Sequence, residues 1–209
     1  FDEIRQGKPM ILLGTQLLAK GHHFPNVTLV GIVDADSGLF SADFRGSERV
    51  AQLMTQVSGR AGRDKKQGRV ILQSYCTDHP QIEEIISGSY ERFAQKLLEE
   101  RKISNIPPFS FQAKIFAESP KSLVSRDFIL NLLNRSRIDE KTRKNVRLVG
   151  PLPSIMEKKS GVYRWELSIF SKSRSNLHKF LDVMQSRLYD PKLSKQVRWS
   201  IDVDPLSSL

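Results

Sequence analysis

Val27-Thr-Leu-Val-Gly-Ile-Val-Asp-Ala-Asp36, VTLVGIVDAD, is almost continuously apolar and closes on two carboxylates. A strand with one wet face alternates, whereas an unbroken run of this length suits a strand buried on both faces, as in a parallel α/β sheet. Its neighbours agree. Upstream, Met10–Gly14 is a short apolar run ending in glycine and reads as another strand. Downstream, 46–59 carries Val50, Leu53, Met54 and Val57 at spacings of three and four, the stripe of an amphipathic helix. Arg69–Cys76 (RVILQSYC) predicts a further strand. From Pro80 to Ile103, Ile82, Ile85, Ile86, Phe93 and Leu97 share one helical stripe that Gly88 interrupts, so two helices or one kinked helix follow. Strand and helix alternating in this way predict a parallel α/β domain.

The pattern stops at Asn105-Ile106-Pro107-Pro108, because proline lacks the amide a helix needs and restricts the residue before it. A domain boundary is therefore expected there, dividing the chain into 1–104 and 105–209. The second part reads as strand Phe111–Glu118, helix Ser122–Arg135, a strand region Val146–Met156 broken by Pro151 and Pro153, and a turn at Lys158-Lys159-Ser160-Gly161. Tyr163, Trp165, Leu167 and Ile169 then alternate with Arg164, Glu166 and Ser168, the period of a strand covered on one side. A helix over 174–189, with Leu177, Phe180, Leu181, Met184 and Leu188 inward, and a strand over 196–204 complete the order βαββαβ. That order is the split, ferredoxin-like arrangement of one sheet with two helices on one face.

Composition narrows the function classes. The 209 residues are 39% hydrophobic and 27% charged, enough apolar side chain for one large or two small cores and too much for a disordered chain. No run approaches the ~18 apolar residues of a membrane span, and the first ten residues lack the pattern of a signal peptide. One cysteine, Cys76, leaves no internal disulfide and no multi-cysteine zinc site, which fits a reducing, cytoplasmic setting. The chain opens on Phe1 rather than Met, as expected of a piece of a longer protein. Charge is unevenly placed: 14 Lys and Arg stand against 13 Asp and Glu in residues 1–105, and 19 against 10 in 106–209. Nearly all of the net +10 therefore sits in the second part, the footprint of a polyanion binder or of a solubilising surface.

Two motifs are candidates for chemistry. Gln56-Val-Ser-Gly-Arg60-Ala-Gly-Arg63 ends the helix that starts near Gly46. Two arginines separated by Ala and Gly can converge on one anion, because the small residues admit close approach and guanidinium matches phosphate oxygens in pairs. The same residues also suit a plain helix end, with Gly62 as cap and arginine against the dipole. Gly14-Thr15 and the later Lys20-Gly21-His-His23 follow a strand. Thr15 and the Gly21 amide suit phosphate contacts there, or an ordinary loop.

Together, and in this order, the two motifs resemble motifs V and VI of superfamily two helicases. GTQLLAKGHHFPNVTLVGIVDAD followed by FSADFRGSERVAQLMTQVSGRAGR is most similar to the primosomal protein N′, or PriA, family of replication restart helicases. The likeness continues through EERKISNIPPF, LVGP, YRWEL and WSIDVDP. It implies a partial RecA-like second helicase lobe, joined to a C-terminal DNA- and partner-binding domain. By that resemblance Arg60 and Arg63 are the motif VI arginines that reach the γ-phosphate of ATP from across the interlobe cleft, as an arginine finger in cis, with Gln56 coupling the phosphate to the lobe. Gly21 and His23 fall in motif V on the nucleotide side, although related helicases more often carry Asp at the place of His23, and Thr15 would hold a phosphate of the tracking strand. The chain contains no G-x-x-x-x-G-K-[ST] phosphate loop. The resemblance therefore assigns that loop and the magnesium-binding acidic motif to a preceding lobe, and the family's zinc to an insertion before this chain begins. The partners it implies are forked and single-stranded DNA, the acidic tail of single-stranded DNA-binding protein and other primosome proteins.

Outside the motifs, Lys158, Lys159 and Arg164 beside Tyr163 and Trp165 form a basic surface with interleaved aromatics, suited to single-stranded DNA. Lys141, Arg143, Lys144 and Arg147 add charge before the preceding strand. Tyr163 and Trp165 share the face of Leu167 and Ile169, which favours core packing for both. Arg174 and Lys179 offer a second basic face for an acidic partner. Asp34 and Asp36 are read as caps for nearby hydroxyls and amides rather than as metal ligands. Cys76 and His79 are too few for structural zinc. No G-x-S-x-G elbow or catalytic cysteine context accompanies His22, His23 or His178. Two readings follow: the C-terminal part of an ATP-dependent 3′-to-5′ DNA helicase, inactive alone, or a non-catalytic module that docks nucleic acid or protein.

Overall fold

The structure is a computed structural model that describes residues 8–15, 27–58, 68–87, 89–135, 138–188 and 196–206. The chain divides into two compact units, Phe1–Leu98 and Glu99–Leu209.

In the first unit, strands β1 (Leu29–Ile32) and β2 (Arg69–Leu72) pair in parallel, Leu29 opposite Arg69 and Ile32 opposite Leu72. Between them lie helices α1 (Asp36–Leu39) and α2 (Gly46–Ser58), and after β2 come α3 (Pro80–Ser87) and α4 (Tyr90–Ser104). Ile86, expected on the helical stripe, is 62% exposed, but most of the expected stripe residues are buried: Val50, Met54 and Val57 on α2, Ile82 on α3, Phe93 and Leu97 on α4. They form two small cores, Ala35, Leu39, Val50 and Ile82 in one, Ala51, Phe93 and Leu97 in the other.

Two expectations are corrected in this unit. Met10–Gly14 lies in no strand and is exposed. Among the described residues it has no ladder partner, and an unpaired strand leaves its amides and carbonyls to water. VTLVGIVDAD supplies a strand of only four residues, half exposed rather than covered on both faces, because β2 alone pairs with it among the described residues.

The second unit holds four strands: β3 (Phe111–Ser119), β4 (Arg147–Lys159), β5 (Val162–Ser171) and β6 (Arg198–Val203). They form one antiparallel sheet in the order β4-β5-β3-β6. Helices α5 (Ser122–Arg135) and α7 (Arg174–Leu188) connect β3 to β4 and β5 to β6, and a short helix that the sequence reading did not anticipate, α6 (Glu140–Lys144), follows α5. Asp139 caps α6 by accepting a hydrogen bond from the Thr142 amide at 2.8 Å, which satisfies one orphan donor of the first turn.

Alternation sets the two faces of this sheet. Ala113, Ile115 and Ala117 of β3, with Leu167 and Ile169 of β5, meet Phe128, Ile129 and Leu132 of α5 and Leu177, Phe180, Leu181, Met184 and Leu188 of α7 in one core. Both helices therefore cover the same face. Trp165 packs against this core as expected, its indole N–H donating to the Ser122 hydroxyl at 2.9 Å. The opposite face carries Lys114 and Glu118 of β3 with Arg164 and Glu166 of β5. Pro151 and Pro153 do not break β4; they sit in an edge strand, where proline costs no ladder bond on the open side.

Candidate nucleic-acid interface

The hairpin β4–β5 positions three of the expected nucleic-acid residues. Its loop is Ser160-Gly161, with φ of 50° and 84°, the pair of positive values that a two-residue turn matched to strand twist requires. The turn is thus shorter than expected, and Lys158 and Lys159 belong to β4. Lys158 lies opposite Tyr163 and Lys159 opposite Val162, so the two lysines project to opposite faces of the ribbon. Both are exposed. The Lys158 ammonium stands 4.9 Å from the centroid of the Tyr163 ring, within cation–π range.

Arg164 is differently placed. Its side chain is 12% exposed and its Nε donates to Glu118 Oε1 at 3.0 Å. Beside it, Lys114 and Glu166 pair at 2.7 Å with side chains 6% and 14% exposed. Phe116 lies between the two cations, 6.0 Å from each. Arg164 is therefore part of a half-buried, internally neutralised lattice, unlike the two exposed lysines at the tip. Its partner across the strand, Glu118, escaped the sequence reading, since pairing register is needed to bring residues 46 positions apart together.

Between the tip and the sheet, β4 slips against β5. Pro153 pairs with Trp165 and Lys158 with Tyr163, so Ser154, Ile155, Met156 and Glu157 all face Arg164 alone. Ile155 and Met156 stand 47% and 41% exposed on this bulge, and Leu152 52% just before it. Ser154 is buried, and its hydroxyl has no hydrogen-bond partner. An earlier slip between Val149 and Leu152 contains Gly150, whose φ is 118°.

The remaining candidates are dispersed. Arg174, in the first turn of α7, bonds Asp204 at 3.2 Å and covers the Phe111 ring at 4.8 Å. Lys179 is exposed on the same helix, but five positions on a helix is about 140° of rotation, so the two do not share a face. Arg147 donates to the carbonyls of Ser104 and Asn105, each at 3.3 Å, and lies 4.6 Å from the Phe170 ring. Gln56 is exposed near the end of α2, and Thr15 is exposed outside any strand. Arg60, Arg63, Gly21 and His23 lie outside the described residues.

Asp34 and Asp36 behave as caps. Asp34 accepts from the Ser37 amide at 3.3 Å. Asp36 accepts from the Ser74 hydroxyl at 2.6 Å and the Tyr75 amide at 2.8 Å, tying α1 to the segment after β2. The Ser74 hydroxyl first, and then the Tyr75 amide, hold its carboxyl below the ordinary value of 3.8. Hydrogen bonds from Thr142 do the same for Asp139. His79 meets Phe40 edge to face at 4.8 Å and its Nδ1 accepts from the Gln81 amide. No group of three His, Cys, Asp or Glu among the described residues is arranged to hold a metal, and no described helix is long and apolar enough to cross a membrane.

Residues 102–206 match the family model described as the primosomal protein N C-terminal domain, and residues 1–65 match the helicase conserved C-terminal domain. Curated relatives carry the name replication restart protein PriA. One from Haemophilus influenzae is 44% identical over 98% of this chain and 28% of its own length. Another from Rickettsia conorii is 40% identical over 94% of this chain and 29% of its own, and one from Bacillus subtilis is 36% identical over 96% and 25%. The chain thus spans less than a third of each of these relatives. Among solved structures, the de novo designed protein Foldit4 aligns with 47% of this chain and 99% of its own at 11% identity and a TM-score of 0.35, too low to bear on the fold.

Proposed function

Because the chain belongs to the primosomal protein N′ (PriA) family, we propose that it is the C-terminal part of an ATP-dependent 3′-to-5′ DNA helicase that recognises forked DNA and restarts stalled replication. The observation that carries this reading is the tandem order of the two matched domains, helicase C-terminal at 1–65 and primosomal C-terminal at 102–206. In this proposal 1–104 is the later part of a RecA-like second lobe. Residues 105–209 are a ferredoxin-like domain, supported by the order βαββαβ and the sheet order β4-β5-β3-β6.

The mechanism that follows from the proposal is division of labour. ATP, with its magnesium, is held by a first lobe; on closure Arg60 and Arg63 engage the γ-phosphate, where two guanidinium groups suit a phosphoryl group gaining charge. Gln56, at the end of the same helix, couples that event to the lobe, and Thr15 shifts on one DNA strand. Gly21 and His23 border the nucleotide. Lys158 and Lys159 hold the DNA backbone at the hairpin tip, while Arg174 and Lys179 remain candidates for the acidic tail of single-stranded DNA-binding protein or another primosome protein.

The test is forked-DNA binding by the intact protein carrying Lys158→Ala and Lys159→Ala, measured across salt concentrations. Each lysine on a phosphate contributes about one unit to the slope of log affinity against log salt, so the double variant should be shallower by about two units. An unchanged slope would remove the hairpin tip from the DNA interface.

A further inference from the structure

The bulge in β4 is larger than a hairpin needs. A slip re-aims side chains and strengthens local twist, and here it sets two apolar residues, Ile155 and Met156, 47% and 41% exposed next to the basic tip. Packing among the described residues does not account for them. Their burial partners would lie in the helix-side core, which holds Leu167 and Ile169 from the facing strand but neither of these residues. Ser154, just before them, is buried at 3% exposure, so burial ends where the apolar pair begins. Charge identifies what they meet. Lys158 and Lys159 follow within three residues, on opposite faces of the ribbon, in the half of the chain that carries nearly all of the net positive charge. An apolar pair followed, past the single carboxylate of Glu157, by two cations on opposite faces of the ribbon fits a nucleic acid whose base stack has been opened, since Ile, Met and Leu are wedge residues that enter between base steps while Lys and Arg hold the flanking phosphates.

We propose that Ile155 and Met156 form a wedge that unstacks the base pair at a single-strand to duplex junction, with Lys158 and Lys159 on the phosphates to either side. The proposal rests on the reading of the hairpin tip as a DNA contact, and it adds what that contact does to the duplex.

The experiment uses the intact protein and a DNA fork with 2-aminopurine at the junction base pair, whose fluorescence rises when the base leaves the stack. Wild-type protein at saturation should raise the signal. The Ile155→Ser, Met156→Ser double variant should lose most of that rise while its affinity for the fork changes less than about threefold, because exposed wedge residues exchange stacking in the duplex for contact with the protein. Ile155→Leu, Met156→Leu should restore the rise, since leucine is also a wedge residue. Thermal unfolding of each variant should match wild type. Lys158→Ala, Lys159→Ala should weaken binding yet give the full rise once saturated. A serine variant that unstacks the base as well as wild type, or a wild-type protein that leaves the probe unchanged, would overturn the wedge. Undiminished binding by the lysine variant would instead overturn the DNA contact beneath it.

Discussion

Asp36 shows how a residue singled out for chemistry can have a structural use that only the fold explains. Its carboxylate is stabilised by the Ser74 hydroxyl and the Tyr75 amide, so its folded value lies below 3.8 and protonation favours the unfolded chain. The stabilisation is complete at and above the unfolded value and is lost as pH falls through the lower folded one. Asp36→Asn should therefore lower the urea midpoint at neutral pH, and the gap to wild type should shrink below pH 3.8; a gap independent of pH would contradict the assignment. Lys114 and Glu166 test the opposite case, a nearly buried pair. Lys114→Ala should cost about 3 kcal/mol by leaving Glu166 buried without its cation, whereas Lys114→Met with Glu166→Leu should be close to neutral. Equilibrium denaturation of both variants decides between them. The alternation gave away that Trp165, Leu167 and Ile169 of β5 face the core, but Tyr163, expected there too, is not part of it and instead lies under Lys158, and the identity of the ion partners was hidden. Glu118 meets Arg164, and Asp204 meets Arg174, only through pairing between strands or packing between elements distant in sequence.

At the scale of elements, helices were legible because their signals are local. Ser122–Arg135 is where its stripe of Val124, Phe128, Ile129, Leu132 and Leu133 put it, and two helices, α3 and α4, occupy the stretch where two or one kinked were expected; Gly88 lies outside the described residues. Two strands of the first unit were legible in place, β1 within VTLVGIVDAD and β2 within RVILQSYC, but their length and burial were not, because burial on both faces depends on neighbours that the sequence of one strand does not contain. The β4 bulge was invisible for a related reason: Pro151 and Pro153 look like breaks until the strand is seen to lie on an edge. Two glycines separate conformational strain from crowding in this hairpin. A Cβ on Gly161 meets nothing within 4 Å, whereas one on Gly150 would lie 2.8 Å from the Glu166 carbonyl oxygen. Gly161→Ala should cost about 1 kcal/mol for its positive φ alone. Gly150→Ala should cost more, about 3 kcal/mol, since it adds a backbone collision that the register slip does not let relax. Equal losses in thermal unfolding would contradict the tight approach of β4 to β5 at that point.

For the whole molecule, composition separated the near-neutral first part from the basic second part, and the two motifs carried the resemblance that family matches over 1–65 and 102–206 bear out. The residues proposed to face the nucleotide, Arg60, Arg63, Gly21 and His23, were legible only as motif and lie outside the described residues, while Lys158 and Lys159, proposed to face DNA, gained their geometry from the hairpin. The central claim is that the chain completes an ATP site begun elsewhere in a longer protein. Its most direct test is DNA-stimulated ATP hydrolysis by that intact protein carrying Arg60→Ala or Arg63→Ala, with fork binding measured on the same preparations. The account predicts turnover lower by about 10³ with DNA binding retained, as for an arginine that stabilises transferring phosphoryl charge. Turnover retained with DNA binding lost would make both arginines backbone contacts and would contradict it.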